Sequence, residues 1–190
     1  MSSEWQCSDT ELVERIISGE EDAFTLLVKR FHRPVYAIAY RMVGNVTEAE
    51  DLSQEIFLRI YQNLSRYDRS LPLAPWIYRI ACNQTLNRLK RRALATTSLH
   101  IIIDGEESER PIADSREDPE QAMITRSREE RLQQALLTLP ENYRLAFTLK
   151  YLEDLTAEEI GEIMQVPRNT IKTWLFRARE ALRSRLTDEL

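Results

Sequence analysis

The sequence is poor in residues that break helices or bind metals: of 190 residues, only 4 are Gly, 7 are Pro, 2 are Cys and 2 are His. Cys7 and Cys82 lie far apart and in no CxxC motif, and no Cys or His pair has the spacing of a metal-ligand set. No apolar run reaches the ~18 residues that a membrane span needs. The first residues, "MSSEWQCSDTELVERI", lack the basic start and apolar stretch of a signal peptide. We therefore expect a cytoplasmic protein without a metal site.

The short motifs of common enzymes and nucleotide-binding proteins are also missing. The chain contains no GxxxxGK[ST], no GxGxxG and no GxSxG. No local motif brings together a nucleophile, a base and an orienting acid. We expect no catalytic residue, no cofactor and no small-molecule substrate.

The composition that remains, 43% apolar and 30% charged, is typical of a soluble helical protein. The net charge of −5 is unevenly distributed. Residues 1–95 carry 13 Lys and Arg against 12 Asp and Glu, residues 96–127 carry 3 against 8, and residues 128–190 carry 10 against 11. The acidity therefore belongs to a connector between two nearly neutral ends, each of which is locally basic.

Hydrophobic periodicity predicts four helices in the first block and at least three in the last. In "EEDAFTLLVKRFHRPVYAIAYRMV", Pro34 predicts a kink or break and Gly44 predicts the end of the helix. Thr47 and Glu50 predict a capping box for the third helix, and Pro75 suits the first turn of the fourth. The prediction is an all-α protein.

Residues 94–118 show no sustained period and mix Ser, Asp, Glu, Gly and Pro, while residues 119–138 become helical again. We predict two small helical domains, at residues 1–94 and 128–190, joined by a flexible acidic linker at residues 95–127.

The segment "LTAEEIGEIMQVPRNTIKTWLFRAREAL" has the pattern of a helix-turn-helix. Thr156 and Glu159 form a capping box, and Gln165, Val166 and Pro167 interrupt the helical period before a longer basic helix. A short helix, a tight turn and a longer basic helix place the second helix in the major groove of DNA.

On a helical wheel Phe176 lies in the middle of the polar face of that second helix, among Lys172, Arg177 and Arg179. An apolar side chain in the major groove can contact the C5-methyl group of thymine. Lys172 and Arg177 reach guanine acceptors or phosphate, and Arg179 and Arg183 more readily reach phosphate. The alternative is that Phe176 packs on a neighbouring element and that the arginines are only solvated.

Two further surfaces lie in the first block. Asp51, Gln54, Glu55 and Leu58 share one face of the third helix, which is either a solvated acidic face or a docking surface for a basic partner helix. The fourth helix carries a polar arc of Trp76, Arg79, Asn83, Asn87 and Lys90, and the preceding loop holds Arg66, Tyr67 and Arg69. Cations, amides and aromatic rings together suit single-stranded DNA with an extruded base. The alternative for Trp76 is a lid on the core.

Taken together, these motifs resemble the extracytoplasmic-function sigma factors, the smallest sigma factors of bacterial RNA polymerase. The likeness covers Asp9 to Leu186. "AEDLSQEIFLRIY" is similar to the family's D-x-x-Q-E-x-F core-binding helix, "PWIYRIACNQTLNRLKRR" to its −10 helix, and residues 139–183 to its −35 domain. The resemblance implies sigma region 2 in the first domain and a sigma region 4 helix-turn-helix in the second.

The resemblance also implies partners and site residues. The partners are core RNA polymerase (the coiled coil of its largest subunit, and its second-largest subunit), promoter DNA and an anti-sigma factor. The implied polymerase contacts are Asp51, Gln54, Glu55 and Phe57. The −10 contacts are Arg66, Tyr67, Trp76, Arg79, Asn83, Asn87 and Lys90. The −35 contacts are Arg168, Asn169, Lys172, Thr173, Phe176, Arg177 and Arg179.

Two departures from the family pattern stand out. Pro72 and Pro75 lie where relatives usually have Ser, Phe and Thr, and Trp174 lies where relatives often have Arg.

The expected function is promoter-specific initiation of transcription, with assistance in promoter melting, in an envelope or stress response. Two alternatives are a sigma mimic that sequesters an anti-sigma protein without reading DNA, and an enzyme with an appended helix-turn-helix.

Overall fold

A computed structural model describes residues 8–98 and 119–187 of the chain, and in these ranges all regular structure is helical. A single 3-10 turn, Leu64–Arg66, separates the third and fourth helices. The helices are α1 (Asp9–Ile17), α2 (Glu21–Val43), α3 (Val46–Asn63), α4 (Leu73–Ser98), α5 (Pro119–Leu137), α6 (Glu141–Leu152), α7 (Ala157–Met164) and α8 (Arg168–Thr187). The all-α prediction is confirmed for these residues.

Helix α2 is the central element of the N-terminal half, and it has no break at Pro34. It runs without interruption from Glu21 to Val43 with Pro34 inside it. A proline within a helix costs about 3 kcal/mol. The residues around it offset this cost, because Phe31, Val35 and Ile38 are buried and each contributes about 1.5–3 kcal/mol of apolar transfer energy.

The junction between α2 and α3 also differs from the prediction. Gly44 ends α2 in the left-handed region at φ 77°, as predicted, but the N-cap of α3 is Asn45 and not Thr47. The side chain of Asn45 accepts a hydrogen bond from the backbone N–H of Glu48 at 2.9 Å. Asn is a better N-cap than Thr, so the helix begins two residues earlier.

The helix-turn-helix consists of α7 and α8, and its local sequence explains the tight turn. The predicted capping box is present: the Thr156 side chain accepts from the backbone of Glu159, whose carboxylate accepts from the Thr156 backbone N–H at 2.7 Å. Gln165 ends α7 in the left-handed region at φ 57°. A Cβ on Gly161 would lie 2.8 Å from the carbonyl oxygen of Val166, so only glycine allows this turn.

The two halves of the chain pack directly against each other, which the sequence did not suggest. Helix α6 packs on α2, and α7 packs on α4. Arg144 of α6 is buried and donates to the carbonyl oxygen of Met42 at 2.7 Å, where it also faces the negative end of the α2 dipole. Gln133 of α5 is buried against the same end of α2, where its amide donates to the carbonyl oxygen of Tyr40 at 3.1 Å.

A hydrogen bond between side chains also joins α4 to the C-terminal half. The Tyr78 hydroxyl donates to a carboxylate oxygen of Glu153 at 2.6 Å. Burial and this carboxylate raise the pKa of Tyr78, and burial lowers the pKa of Arg144. Polar pairs therefore take part in the interface on both α2 and α4.

Most of the predicted linker, residues 95–127, lies outside the residues whose structure is described. At its edges, α4 extends to Ser98 and α5 already begins at Pro119. The domain boundaries at residues 94 and 127 stay predictions.

Candidate nucleic-acid interface

Helix α8 exposes one side along its whole described length. Ile171, Ala178 and Leu182 are buried on the other side, so the exposed side is the polar arc that the helical wheel predicted. On this arc Phe176 keeps 58% of its surface in solvent, although most phenylalanines are buried in helical domains. Lys172, Thr173 and Arg179 are exposed beside it. The structure thus places Phe176 away from any packing interface within the described chain.

Among the predicted −35 contacts, three polar side chains have partners within the described part of the protein. The Arg168 Nε lies 2.7 Å from a carboxylate oxygen of Glu158 on α7, which links the two helices of the motif. The Thr173 hydroxyl donates to the carbonyl oxygen of Asn169 at 2.9 Å. Arg177 donates from Nη1 to the hydroxyl oxygen of Tyr143 at 3.0 Å.

Tyr143, on α6, is a residue that sequence reasoning missed. Its ring lies 6.1 Å from that of Trp174, with 37° between the two planes. It also packs against the smaller buried cluster, which α5, α8 and Leu139 form. Trp174 is half-buried, as its place on the helical wheel suggested. No signal in the sequence connects Tyr143 with α8, because 34 residues separate it from Arg177.

Helix α4 presents a second polar surface in the N-terminal half. Arg79, Asn83, Asn87 and Lys90 are all exposed and lie along one side of the helix, as predicted. The opposite side of α4 is held in the core by Leu73, Ile77, Ala81 and Cys82. Burial raises the pKa of the Cys82 thiol to about 12, so this cysteine is inert.

Two aromatic residues predicted to contact DNA beside this surface are packed inward. Tyr67 is only 7% exposed, and its hydroxyl donates to the carbonyl oxygen of Leu71. Trp76 is half-buried and lies over it, with 5.2 Å between the ring centres. Either ring would have to leave this position to stack on a base. Arg66, at the end of the 3-10 turn, is exposed.

A third surface lies on α3. Asp51, Gln54 and Glu55 are exposed, while Phe57 is only 7% exposed. A groove of about 480 Å³ runs between α2 and α3 beside these residues, lined by Phe24, Val28, His32, Glu50, Ser53, Gln54, Phe57 and Leu58. Leu58 and Tyr61, both more than half exposed, continue the apolar strip. An acidic edge beside an apolar groove suits a partner helix with basic and apolar residues.

The acidic edge is not wholly free. A carboxylate oxygen of Glu55 lies 2.6 Å from Nη2 of Arg88 on α4, and a carboxylate oxygen of Glu48 lies 3.1 Å from Nη1 of Arg92. Two of the four cations in "RLKRR" therefore connect α4 to α3, while Lys90 and Arg91 remain exposed.

None of the helices in residues 8–98 and 119–187 is both long and apolar enough to cross a membrane. The same residues contain no cluster of three or more His, Cys, Asp or Glu side chains that could hold a metal ion.

Comparison with known proteins now identifies the family. Sigma-70 region 2 matches residues 27–94 and sigma-70 region 4 matches residues 129–182. The ECF RNA polymerase sigma factor SigW of Bacillus subtilis (strain 168) is 37% identical over 179 residues, 93% of this chain and 95% of that protein. The chain belongs to the extracytoplasmic-function sigma factors. The RNA polymerase sigma-H factor of Pseudomonas aeruginosa is 34% identical to this sigma factor over 180 residues, 93% of either chain.

The fold of this sigma factor agrees with the family. The sigma factor RpoE of Bartonella quintana, solved in complex with the anti-sigma factor NepR, has a TM-score of 0.70 at 19% identity and covers 86% of this chain and 96% of its own. The region 2 match contains the α3 and α4 surfaces, and the region 4 match contains the exposed side of α8. The protein is a sigma factor that binds core RNA polymerase and directs it to promoter DNA.

Proposed function

We propose that the exposed side of α8 reads the −35 element, with Phe176 on a thymine methyl group. The observation that carries this assignment is the exposure of Phe176 on the polar side of an intact helix-turn-helix. Lys172, Thr173 and Arg177 lie around it and supply donors for base edges or phosphate. Arg168, Asn169 and Arg179 extend the same surface along the groove.

The polar arc of α4 reads and helps to melt the −10 element. Asn83 lies at its centre, where a neutral amide can hydrogen-bond the Watson–Crick edge of an extruded base. Arg79, Asn87 and Lys90 follow the backbone of the separated strand by charge and hydrogen bonding. Trp76, in the first turn of α4, forms the wall of this site together with Arg66 and Tyr67 from the preceding turn and loop.

The α3 surface binds the coiled coil of the largest polymerase subunit. Asp51 and Gln54 provide the exposed polar contacts, Glu55 adds charge, and Phe57 supports the groove from below. An acidic surface of this kind repels the phosphates of DNA and attracts a basic partner helix. A further contact of the C-terminal domain with the second-largest subunit completes the polymerase interface.

The domains that carry these surfaces are residues 1–94 and 128–190, with the acidic connector at residues 95–127 between them. The sigma factor acts in the cytoplasm, performs no catalysis of its own and takes part in an envelope or stress response. An anti-sigma factor holds it inactive until the inducing signal arrives.

Run-off transcription tests this function against a sigma mimic that only sequesters an anti-sigma protein. Purified core polymerase and a template pool with randomised −35 and −10 elements are combined with the full chain. We expect transcripts that depend on the chain, with Asp51→Arg abolishing both core binding and transcription. Glu129→Arg, the same charge reversal at an exposed residue of α5, is the control and retains activity. If the wild-type chain yields no transcript and does not bind core polymerase, the mimic is the correct assignment.

A further inference from the structure

Among the residues that the structure describes, one hydrogen bond joins a predicted −35 residue of α8 to a helix outside the helix-turn-helix. It is formed by Arg177 of α8 and Tyr143 of α6. Nη1 of Arg177 donates to the hydroxyl oxygen of Tyr143 at 3.0 Å, from α8 to α6. The two residues lie in different helices, 34 residues apart, and Arg177 itself is exposed. The contact is therefore tertiary and not a consequence of helix geometry.

The ring of Tyr143 is itself held in place. It lies 6.1 Å from the ring of Trp174 and packs on the buried cluster of Ala135, Leu136, Leu139, Ala178 and Leu182. A tyrosine has only two side-chain torsions, so a packed ring fixes the direction of its hydroxyl. Trp174 thus supports Tyr143 from the half-buried side of α8.

We propose that Tyr143 is a positioning residue for promoter recognition, and that its hydroxyl fixes the guanidinium of Arg177 beside the −35 element. An arginine side chain loses up to about 2 kcal/mol of rotamer entropy when it is ordered. A guanidinium already held by Tyr143 loses less of this entropy on binding DNA. Arg177 lies ~100° around the helix from Phe176, at the edge of the exposed side of α8. A guanidinium held in this direction reaches one wall of the DNA major groove. The inference rests on the proposed role of Arg177 in DNA binding.

Tyr143→Phe is the variant that tests this inference, because it removes only the hydroxyl and keeps the packed ring. The probe is polymerase holoenzyme with the full chain, bound to a promoter selected from the randomised −35 pool. One lost hydrogen bond predicts a loss of about three- to tenfold in affinity. The slope of log affinity against log salt is unchanged, because no cation is lost. Arg177→Ala weakens binding and lowers that slope by about one unit.

A double-mutant cycle separates positioning from a merely structural role. In the Arg177→Ala background, Tyr143→Phe has no further effect if the hydroxyl acts through Arg177. Tyr151→Phe, a tyrosine exposed on the same helix, is the control and leaves binding unchanged. Thermal unfolding of Tyr143→Phe stays close to that of the wild type.

The outcomes distinguish two failures. If Arg177→Ala weakens binding while Tyr143→Phe does not, or if the two effects add, the inference about Tyr143 is wrong and the DNA-binding role of Arg177 stands. If Arg177→Ala itself leaves binding unchanged, the proposed role of Arg177 fails, and the positioning role of Tyr143 fails with it.

Discussion

The packing of the two halves against each other predicts that the free sigma factor must open before it reads a promoter. Helix α7 contacts both α4 and α8, so the two helices proposed to read DNA are only about two interhelical spacings, ~16–20 Å, apart. Elements at −10 and −35 are separated by about 25 base pairs, which is ~85 Å of B-DNA at ~3.4 Å per base pair. The closed arrangement cannot reach both elements at once.

Tyr78→Phe perturbs this closed arrangement with the least change in packing. It removes the hydroxyl that donates to Glu153 at 2.6 Å and keeps the buried ring. A hydrogen bond to a charged group contributes about 1.5–3 kcal/mol. The lower value applies here, because Glu153 is half-exposed and its carboxylate regains water when the partner is lost. About 1.4 kcal/mol corresponds to a tenfold change, so the ratio of open to closed chains should rise about tenfold.

Single-molecule energy transfer measures this ratio directly. Dyes are attached to cysteines that replace Gln62 on α3 and Ser184 on α8, which are exposed in different halves. Cys7 is replaced by serine, and Cys82 stays unlabelled because the thiolate is the reactive form and burial raises its pKa to about 12. Binding of the free chain to promoter duplex should increase in parallel with the open fraction.

The control for this experiment is Tyr61→Phe, because Tyr61 is exposed on α3 and its ring contacts Phe24 within the same half. It should leave the energy-transfer distribution unchanged. An open fraction in Tyr78→Phe that stays within twofold of the wild type would refute the role assigned to the hydroxyl. Loss of helical content would show that Tyr78 stabilises its own half and not the interface.

Three further predictions concern the proposed sites. Asn83→Ala should allow the closed promoter complex but reduce the open complex, or shift base preference at one −10 position, as measured by permanganate footprinting on a promoter library. Phe176→Ala should lose about 1–3 kcal/mol of discrimination at one −35 position in binding assays, without a change in the slope of log affinity against log salt. Arg179→Ala should weaken binding to all sequences alike and reduce that slope by about one unit. Glu55→Gln should weaken polymerase binding less than Asp51→Asn in a core-binding titration, because the carboxylate of Glu55 is already paired with a cation of α4.

Matched controls make these outcomes decisive. Asn142→Ala, an exposed amide on α6, controls for Asn83, and unchanged melting with unchanged base preference would remove Asn83 from the −10 site. Tyr151→Ala controls for Phe176. Because Phe176 is 58% exposed, its loss should cost only about 1–2 kcal/mol of folding free energy, and a cost of about 3–5 kcal/mol would show that it is packed. Equal losses of polymerase affinity for Glu55→Gln and Asp51→Asn would mean that the ion pair with Arg88 does not reduce the contribution of Glu55 to polymerase binding.

Local patterns predicted the parts of the structure that depend on local forces. The apolar period of α8 identified its buried side and hence the exposure of Phe176, because a helix of this kind buries one stripe. The Thr156–Glu159 capping box was readable because both its hydrogen bonds lie within one turn. The polar arc of α4 followed from the same periodicity.

Two of the differences from the sequence predictions arise where packing outweighs a local preference, whereas the early start of α3 at Asn45 is a local effect. Pro34 disfavours a helix by itself, yet the buried residues on both sides keep α2 continuous. Tyr67 lies in a polar loop, which suggested an exposed ring, but the ring fills the space under Trp76. Trp76 lies on the next helix, so the loop sequence around Tyr67 does not show this contact.

The interface between the halves shows most clearly what a sequence pattern leaves out. Arg144 has the appearance of an ordinary surface cation on an amphipathic helix, but its acceptor is a backbone carbonyl 102 residues away. The Tyr78 hydroxyl likewise finds its acceptor, Glu153, in the other half of the chain. Water can replace hydrogen bonds of this kind when the halves separate, so each contributes only about 0.5–3 kcal/mol to holding the closed arrangement. We therefore expect polymerase binding to supply enough free energy to part the halves.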